Sequence, residues 1–345
     1  MIDIGPVVAT KPNCTTPIGK VRDIVRSSTQ TVFCVMSDAP YNPTQRTQMK
    51  AQLENVASDC EFLVHLGDIK SGQTPCIEYI YQDTRSMLLR SRAPAFSVIG
   101  DNEWNDCPQD QISDGWTFWN RHLLGIVDSW NHGFNIIRLH NRPENVYFVH
   151  KRTLFIMLNL PGGQIIDGWD SRQSDLAQFT IGALANRVPN EADGVVIMGH
   201  AHPYSKHDSY FNPVFNFISN NMPDIPFLYI HGDGHAWEYE RRFGGVRMLR
   251  IQTVGGTSEL PLKMIVDDAK EMRLGEFARK CKEATCYLRG TKPYSPWSNS
   301  AEHEIRELKK GAARKLTRSG APRRLWCFAL EYESYVRSHT AHDIF

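Results

Sequence analysis

At 345 residues the chain is long enough to bury a sizeable core, as one large domain or two small ones. Hydrophobic residues at 41% and charged residues at 22% exclude a wholly disordered chain. With 39 basic against 38 acidic residues, the net charge of +1 gives no reason to expect nucleic acid or a membrane surface as partner, and apolar runs such as Leu154 to Leu158 are too short for a membrane span.

Residues 1–30 are polar, rich in Pro and Thr and without a clear period, and are expected to form an arm or surface loop. With Asp3 and Pro6 so early, they lack the charged and apolar regions of a signal peptide; a signal already removed would leave the same picture. Asn13, Cys14 and Thr15 form a glycosylation sequon. The core begins at Thr31 to Met36, a buried-strand pattern that stops at Ser37 and Asp38 before a turn set by Pro40, Asn42 and Pro43. Good helix formers follow from Thr44 to Ala57, with Met49, Leu53 and Val56 on one face. Phe62 to Leu66 is a second strand ending at Gly67 and Asp68, and a helix is expected from about Ile77 to Leu89. Ala95 to Ile99 is a third strand, ending at Gly100, Asp101, Asn102 and Glu103.

Three repeats of strand, acidic tip and helix point to α/β architecture. Residues 104–145, with Trp104, Trp116, Trp119 and Trp130, read as a substrate-side insertion carrying one helix near 115–124. Strands return at Val146 to Val149 and Thr153 to Leu160, closed by Pro161, Gly162 and Gly163. After a helix near 174–186, the strand Gly194 to Met198 ends at Gly199, His200, Ala201 and His202. Phe227 to Ile230 ends at His231, Gly232, Asp233, Gly234 and His235. Val246 to Val254 and Leu262 to Val266 are expected to complete a second sheet. Residues 269–345 read as a mainly helical extension packed on the 31–268 domain, with helices at 271–286 and in the basic run 302–318, whose charge suits a solvated face.

Of the eight cysteines, Cys34 and Cys60 lie in or beside apolar strands and read as buried thiols. Cys76 and Cys107 each follow an acid-bearing strand end, so their loops are expected to converge and to be joined by a disulfide. That bond implies an oxidising, secreted or extracytoplasmic location.

The chemistry gathers at five strand ends: Asp38, Asp68, Asp101, His200 and the Asp233/His235 pair. A carboxylate after a strand is commonly a helix cap, and a buried His commonly a satisfied core residue. Five successive units that each stop at an ionisable ligand are hard to explain as independent caps. Carboxylates and imidazoles without thiolate favour Mg, Mn, Ca, Fe or Zn at an open catalytic site.

In this order and spacing the strand ends resemble the calcineurin-like metallophosphoesterases. The matching residues are Asp38-Ala39-Pro40, Gly67-Asp68, Gly100-Asp101-Asn102-Glu103, Gly199-His200 and Gly232-Asp233-Gly234-His235, across residues 31–266. The resemblance implies a two-sheet αββα sandwich and one or two divalent cations. Asp38, Asp68 and His235 would hold the first cation, and Asp68, as bridge, would share the second with Asp101, His200 and Asp233. It implies a phosphoric ester hydrolase, phosphomonoesterase ahead of phosphodiesterase, using a metal-bound hydroxide on a small-molecule phosphate ester.

The chain departs from that pattern. Pro40 stands where the family has a His, leaving water, Tyr41 or His231 as replacement ligands. Asn102 stands where the family has its proton-donating His; it is kept as a catalytic and substrate-binding candidate, with His202 the substitute acid or else a surface residue of a Gly/Pro turn. Asp101 and Asp233 replace neutral ligands and favour harder ions, although Asp233 alternatively orients His231 or His235. Glu103 is expected to position Asn102 or a neighbouring loop, and His65 to be core. Trp104 walls the pocket, stacks on a leaving group or simply packs; Arg172 clamps a phosphate or forms a surface ion pair. A second reading follows from the two missing histidines: a degenerate member that binds a metal or phosphorylated ligand with little or no turnover.

Overall fold

The computed structural model describes residues 30–56, 60–257, 260–269 and 325–331. The chain opens with β1 (Thr31–Met36), α1 (Pro43–Glu54), β2 (Phe62–His65), α2 (Glu78–Leu88), β3 (Ala95–Ser97) and α3 (Ile112–His122). It continues through β4 (Ile137–Leu139), β5 (Arg142–His150), β6 (Thr153–Met157), α4 (Trp169–Arg187), β7 (Gly194–Met198) and α5 (Asp208–Asn221). It closes with β8 (Phe227–His231), β9 (Glu238–Arg241), β10 (Met248–Gln252), β11 (Leu262–Ala269) and β12 (Leu325–Glu331). Local chemistry starts α1: Pro43 takes the first turn, and the Asn42 side chain accepts from Gln45 N at 2.9 Å.

Two sheets result, ordered β12-β11-β1-β2-β3 and β4-β5-β6-β7-β8-β10-β9. Strand alternation sorts each strand's side chains between two layers. Phe33 and Val35 of β1 pack between the sheets with Phe62, Phe96, Phe148, Phe155, Val196 and Leu228. Val32, Cys34 and Met36, on the opposite face of β1, pack outward with Met49, Leu53, Tyr81 and Met87 of α1 and α2. The second sheet repeats the scheme, sending Val195, Ile197, Phe227 and Tyr229 outward against Leu176, Leu184, Tyr210 and Ile218 of α4 and α5. The architecture is therefore an αββα sandwich. No helix of the described residues is long and apolar enough to cross a membrane.

Three expectations change. Leu262 to Val266 does not complete the second sheet: β11 pairs antiparallel with β1, Thr31 opposite Val266, and β12 extends the same edge. Cys34 and Cys60 are a disulfide rather than free thiols, because β1 runs parallel to β2 and brings residue 60, just before β2, within 5.8 Å of Cys34 between Cα atoms. Residues 205–221 form a 3₁₀ turn and α5, for which no helix was expected. The arm expected at 1–30, except Gln30 itself, with its sequon, and the helices expected at 271–286 and 302–318 lie outside the described residues.

Candidate metal centre

Strands β1, β2 and β3 run parallel, as do β6, β7, β8 and β10. Their carboxyl ends meet at one place, where sheets of this kind bind ligands. Ligand atoms of Asp38, Asp68 and His200 lie within 4.8 Å of one another, and so do those of Asp101, His200 and Asp233. The backbone aims them. Asp38, Asp68, Asp233 and His235 take positive φ values of 56°, 60°, 71° and 53°, left-handed turns that side chains with a Cβ adopt at a cost. Gly67 lets two tips touch, because a Cβ there would lie 2.5 Å from Gly100 N.

His200 is fully buried, and its Nδ1–H donates to the Leu66 carbonyl at 2.7 Å, which turns Nε2 toward the acids. Nε2 stands 2.9 Å from Asp101 Oδ1 and 3.2 Å from Asp68 Oδ1. Burial alone would lower the His200 pKa, but Asp68, Asp101 and Asp38 outweigh it and raise it well above the ordinary range. Burial pushes Asp68 up; for Asp101 the same push is overcome, chiefly by His200, which holds the carboxyl at about 2. Asp38 Oδ2 is buried without a hydrogen-bond partner, and the inward atoms Asp101 Oδ1 and His200 Nε2 are buried against each other and Asp68, with no tie to the rest of the protein. Glycine keeps the space clear: a Cβ on Gly162 would lie 2.7 Å from Asp233 Oδ2 and 3.0 Å from Asp101 Oδ1. Converging buried carboxylates and an imidazole, their inward atoms facing one another in a space cleared by glycine, fit divalent cations.

A ligating imidazole must be neutral, so cation uptake has to remove the His200 proton. Affinity for Mn(II) should therefore rise with pH through the range above 6.5 where His200 is held protonated. Calorimetric titrations at pH 6 and 8 would read this; equal affinities would show that His200 does not ligate.

The remaining candidates are less alike. His235 is half-exposed, with Nε2 3.6 Å from Asp38 Oδ1. Asn102 donates its backbone N–H to Asp68 Oδ1 at 3.0 Å and its side-chain amide to Asp68 Oδ2. Glu103 is fully buried and accepts from the N–H groups of Asp68, Ile69 and Gly100, tying two ligand-bearing tips together. Glu103→Ala would strand three buried amides and should lower unfolding free energy by about 3 kcal/mol in denaturant titrations. Unchanged stability would mean that water replaces the carboxylate.

Trp104 is buried against Trp116, ring centres 4.7 Å apart. Arg172 lies over the Trp104 ring at 4.6 Å and gives Nη1 to Glu144 at 3.0 Å, so its guanidinium is engaged on both counts. His65 is core: Nε2–H donates to the Ala39 carbonyl at 2.8 Å, and burial lowers its pKa to about 4. His231 is buried, its Nδ1–H donating to the Gly232 carbonyl at 2.9 Å, and burial holds its pKa well below the ordinary range. Arg250 donates Nη1 to His231 Nε2 at 3.1 Å and to His202 Nδ1 at 2.9 Å, so both lone pairs that face it are occupied. Cys76 and Cys107 form a disulfide whose sulfurs lie 3.6 and 3.9 Å from the Asn102 carbonyl, behind the third tip.

The sequence alone does not single out Arg250, Lys70 or Asp106. Lys70 is a buried ammonium that donates to the Ser71 and Thr74 carbonyls at 3.1 and 2.7 Å, holding the loop after Asp68. Asp106 accepts from Gln164 N at 2.8 Å and so links the third tip to the Gly162-Gly163 turn. Asp106 alone had a local signal, a second acid five residues past Asp101; Arg250 lies inside a strand with nothing nearby to mark it.

No protein-family model and no curated protein matches the chain. Among solved structures it is similar to the following proteins. A dimetal phosphatase from Danio rerio is 12% identical with a TM-score of 0.42, over 69% of this chain and 92% of the other. The protein TT1561 of Thermus thermophilus is 15% identical with a TM-score of 0.38, over 69% and 94%. The calcineurin-like phosphoesterase YfkN from Bacillus subtilis is 11% identical with a TM-score of 0.35, over 69% and 84%.

Proposed function

We propose that the chain is a metal-dependent phosphoric ester hydrolase acting on small phosphate esters, monoesters ahead of diesters. The observation that carries this is the convergence of buried ligand atoms at the meeting strand ends, those of Asp38, Asp68 and His200 and those of Asp101, His200 and Asp233 each lying within 4.8 Å of one another. Asp38, Asp68 and His235 would hold one cation; Asp68, as bridge, would join Asp101, His200 and Asp233 on a second. Bound there, divalent cations supply positive charge against phosphoryl oxygens and acidify the water that attacks phosphorus. The donors are mostly carboxylates, which favours Mg, Mn or Ca over softer ions.

The chain's own groups do the rest. Glu103 keeps the second and third tips in register through the backbone amides it holds. Asn102 gives one side-chain amide hydrogen to Asp68 Oδ2 and would turn the other, now 3.4 Å from the Tyr41 hydroxyl, to a phosphoryl oxygen. His202 has its Nδ1 taken by Arg250, so its Nε2 carries the proton and is left to donate. The two disulfides favour an oxidising compartment, secreted or extracytoplasmic.

A second reading, a metal or phosphate binder with little turnover, is favoured by one observation: positions 40 and 102 hold Pro and Asn, neither of which transfers a proton. Rates on an aryl phosphate and the matching diester, with Mg, Mn, Ca or Zn added, separate the two. Metal-dependent turnover supports the hydrolase. Metal uptake with no turnover on either ester supports the binder.

A further inference from the structure

Tyr41 follows the turn that closes β1, and its phenol reaches the first ligand group. The hydroxyl donates to Asp68 Oδ2 at 3.0 Å, lies 3.4 Å from His235 Nε2 and accepts from the Asn102 side-chain amide at 3.4 Å. Its backbone is anchored: Tyr41 N–H donates to Gln45 Oε1 at 2.6 Å, and its neighbour Asn42 caps α1.

Asp68 Oδ2 receives the Asn102 side-chain amide as well as the phenol, so both lone pairs of that oxygen are taken, while Oδ1 receives Asn102 N. A carboxylate oxygen that ligates a cation lends it a lone pair. A cation held by Oδ2 would therefore displace one of the two donors on that oxygen. The Asn102 side chain is kept beside Asp68 by its own backbone N–H, which donates to Oδ1. The phenol proton can leave Asp68 by rotation about the Cζ–O bond, and the hydroxyl's other neighbours, His235 Nε2 and the Asn102 amide, are both 3.4 Å away and hold it weakly.

We propose that Tyr41 is the donor released on metal loading, and that its hydroxyl then hydrogen-bonds a phosphoryl oxygen of the substrate beside the bridging carboxylate. The assignment rests on the hydrolase reading above. It adds a substrate-contacting hydroxyl on a face of the site where Pro40 brings no polar side chain.

Tyr41→Phe removes that hydroxyl and nothing else. Full-length wild-type and variant chains would be loaded with Mn(II) and compared for Mn content, melting temperature, affinity for inorganic phosphate by calorimetry, and kcat and KM on an aryl phosphomonoester. The expected result is unchanged Mn content and melting temperature, phosphate affinity lower by about tenfold, and kcat/KM lower by about 10²-fold. Loss of Mn from the variant would make the hydroxyl a ligand and overturn the proposal. Equal phosphate affinity in the two proteins would also overturn it, leaving the hydrolase reading intact if the wild type turns over. A wild type that takes up no Mn(II), Mg(II), Ca(II) or Zn(II) would sink both.

Discussion

Under the proposed hydrolase function, Asp68→Asn will lower metal-dependent turnover by on the order of 10³-fold or more and reduce the cation the protein binds. Asp68 stands at the end of β2 in a left-handed turn, buried, with Oδ1 3.2 Å from His200 Nε2. It also collects the Asn102 N–H and the Tyr41 hydroxyl at 3.0 Å each. No other candidate ligand touches as many of the groups around the centre. The amide keeps the size of the side chain but removes its charge and one acceptor, so the fold should persist by circular dichroism while Mn content falls. Elemental analysis and turnover on an aryl phosphate check it together. Full metal content with wild-type turnover would refute both the bridge and the assignment of the centre.

Phe62→Ala will give the largest loss of stability, about 3–5 kcal/mol. Phe62 is fully buried and stacks on Phe33 at 5.1 Å within its own sheet. Its ring also meets Phe155 at 5.1 Å, Phe148 at 5.6 Å and Phe134 at 5.5 Å, so one side chain joins both layers. Truncation loses the transfer energy of the ring and leaves a cavity that two hydrogen-bonded sheets cannot close. In a protein whose net stability is of order 5–15 kcal/mol, that shifts the thermal midpoint by on the order of 10 °C. Denaturant titration of Phe62→Ala beside Phe62→Leu measures it; a midpoint unchanged in both would show that the interface does not depend on this cluster.

The β1 pattern alone predicts Thr31 to Met36, the bounds found. The strands ending at Asp68, Asp101, His200 and Asp233 differ from expectation by a few residues at most. These elements are legible because each is local: an apolar β-branched run, a glycine stop and a turn residue lie within a dozen positions of one another. The α5 helix was not, since Pro213 sits inside it and asparagines surround it, so propensity gives no local support. Its burial of Tyr210, Val214 and Ile218 against the second sheet overrides that weak preference.

What the sequence by itself determined is the list of strand ends and the ionisable residue at each, because alternation and turn chemistry act over a few residues. Tertiary structure decided which ends meet. It sent β11 to the edge of β1, since edge pairing depends on which surface is free once the layers pack. It joined Cys34 to Cys60, since a disulfide depends on separation in space and not on spacing along the chain. It also set Glu103 beneath two tips, Arg250 between two histidines and the Tyr41 phenol on Asp68, contacts across 35, 48 and 27 residues of chain. No local pattern encodes such contacts, because each becomes favourable only after the sheets have brought its partners together.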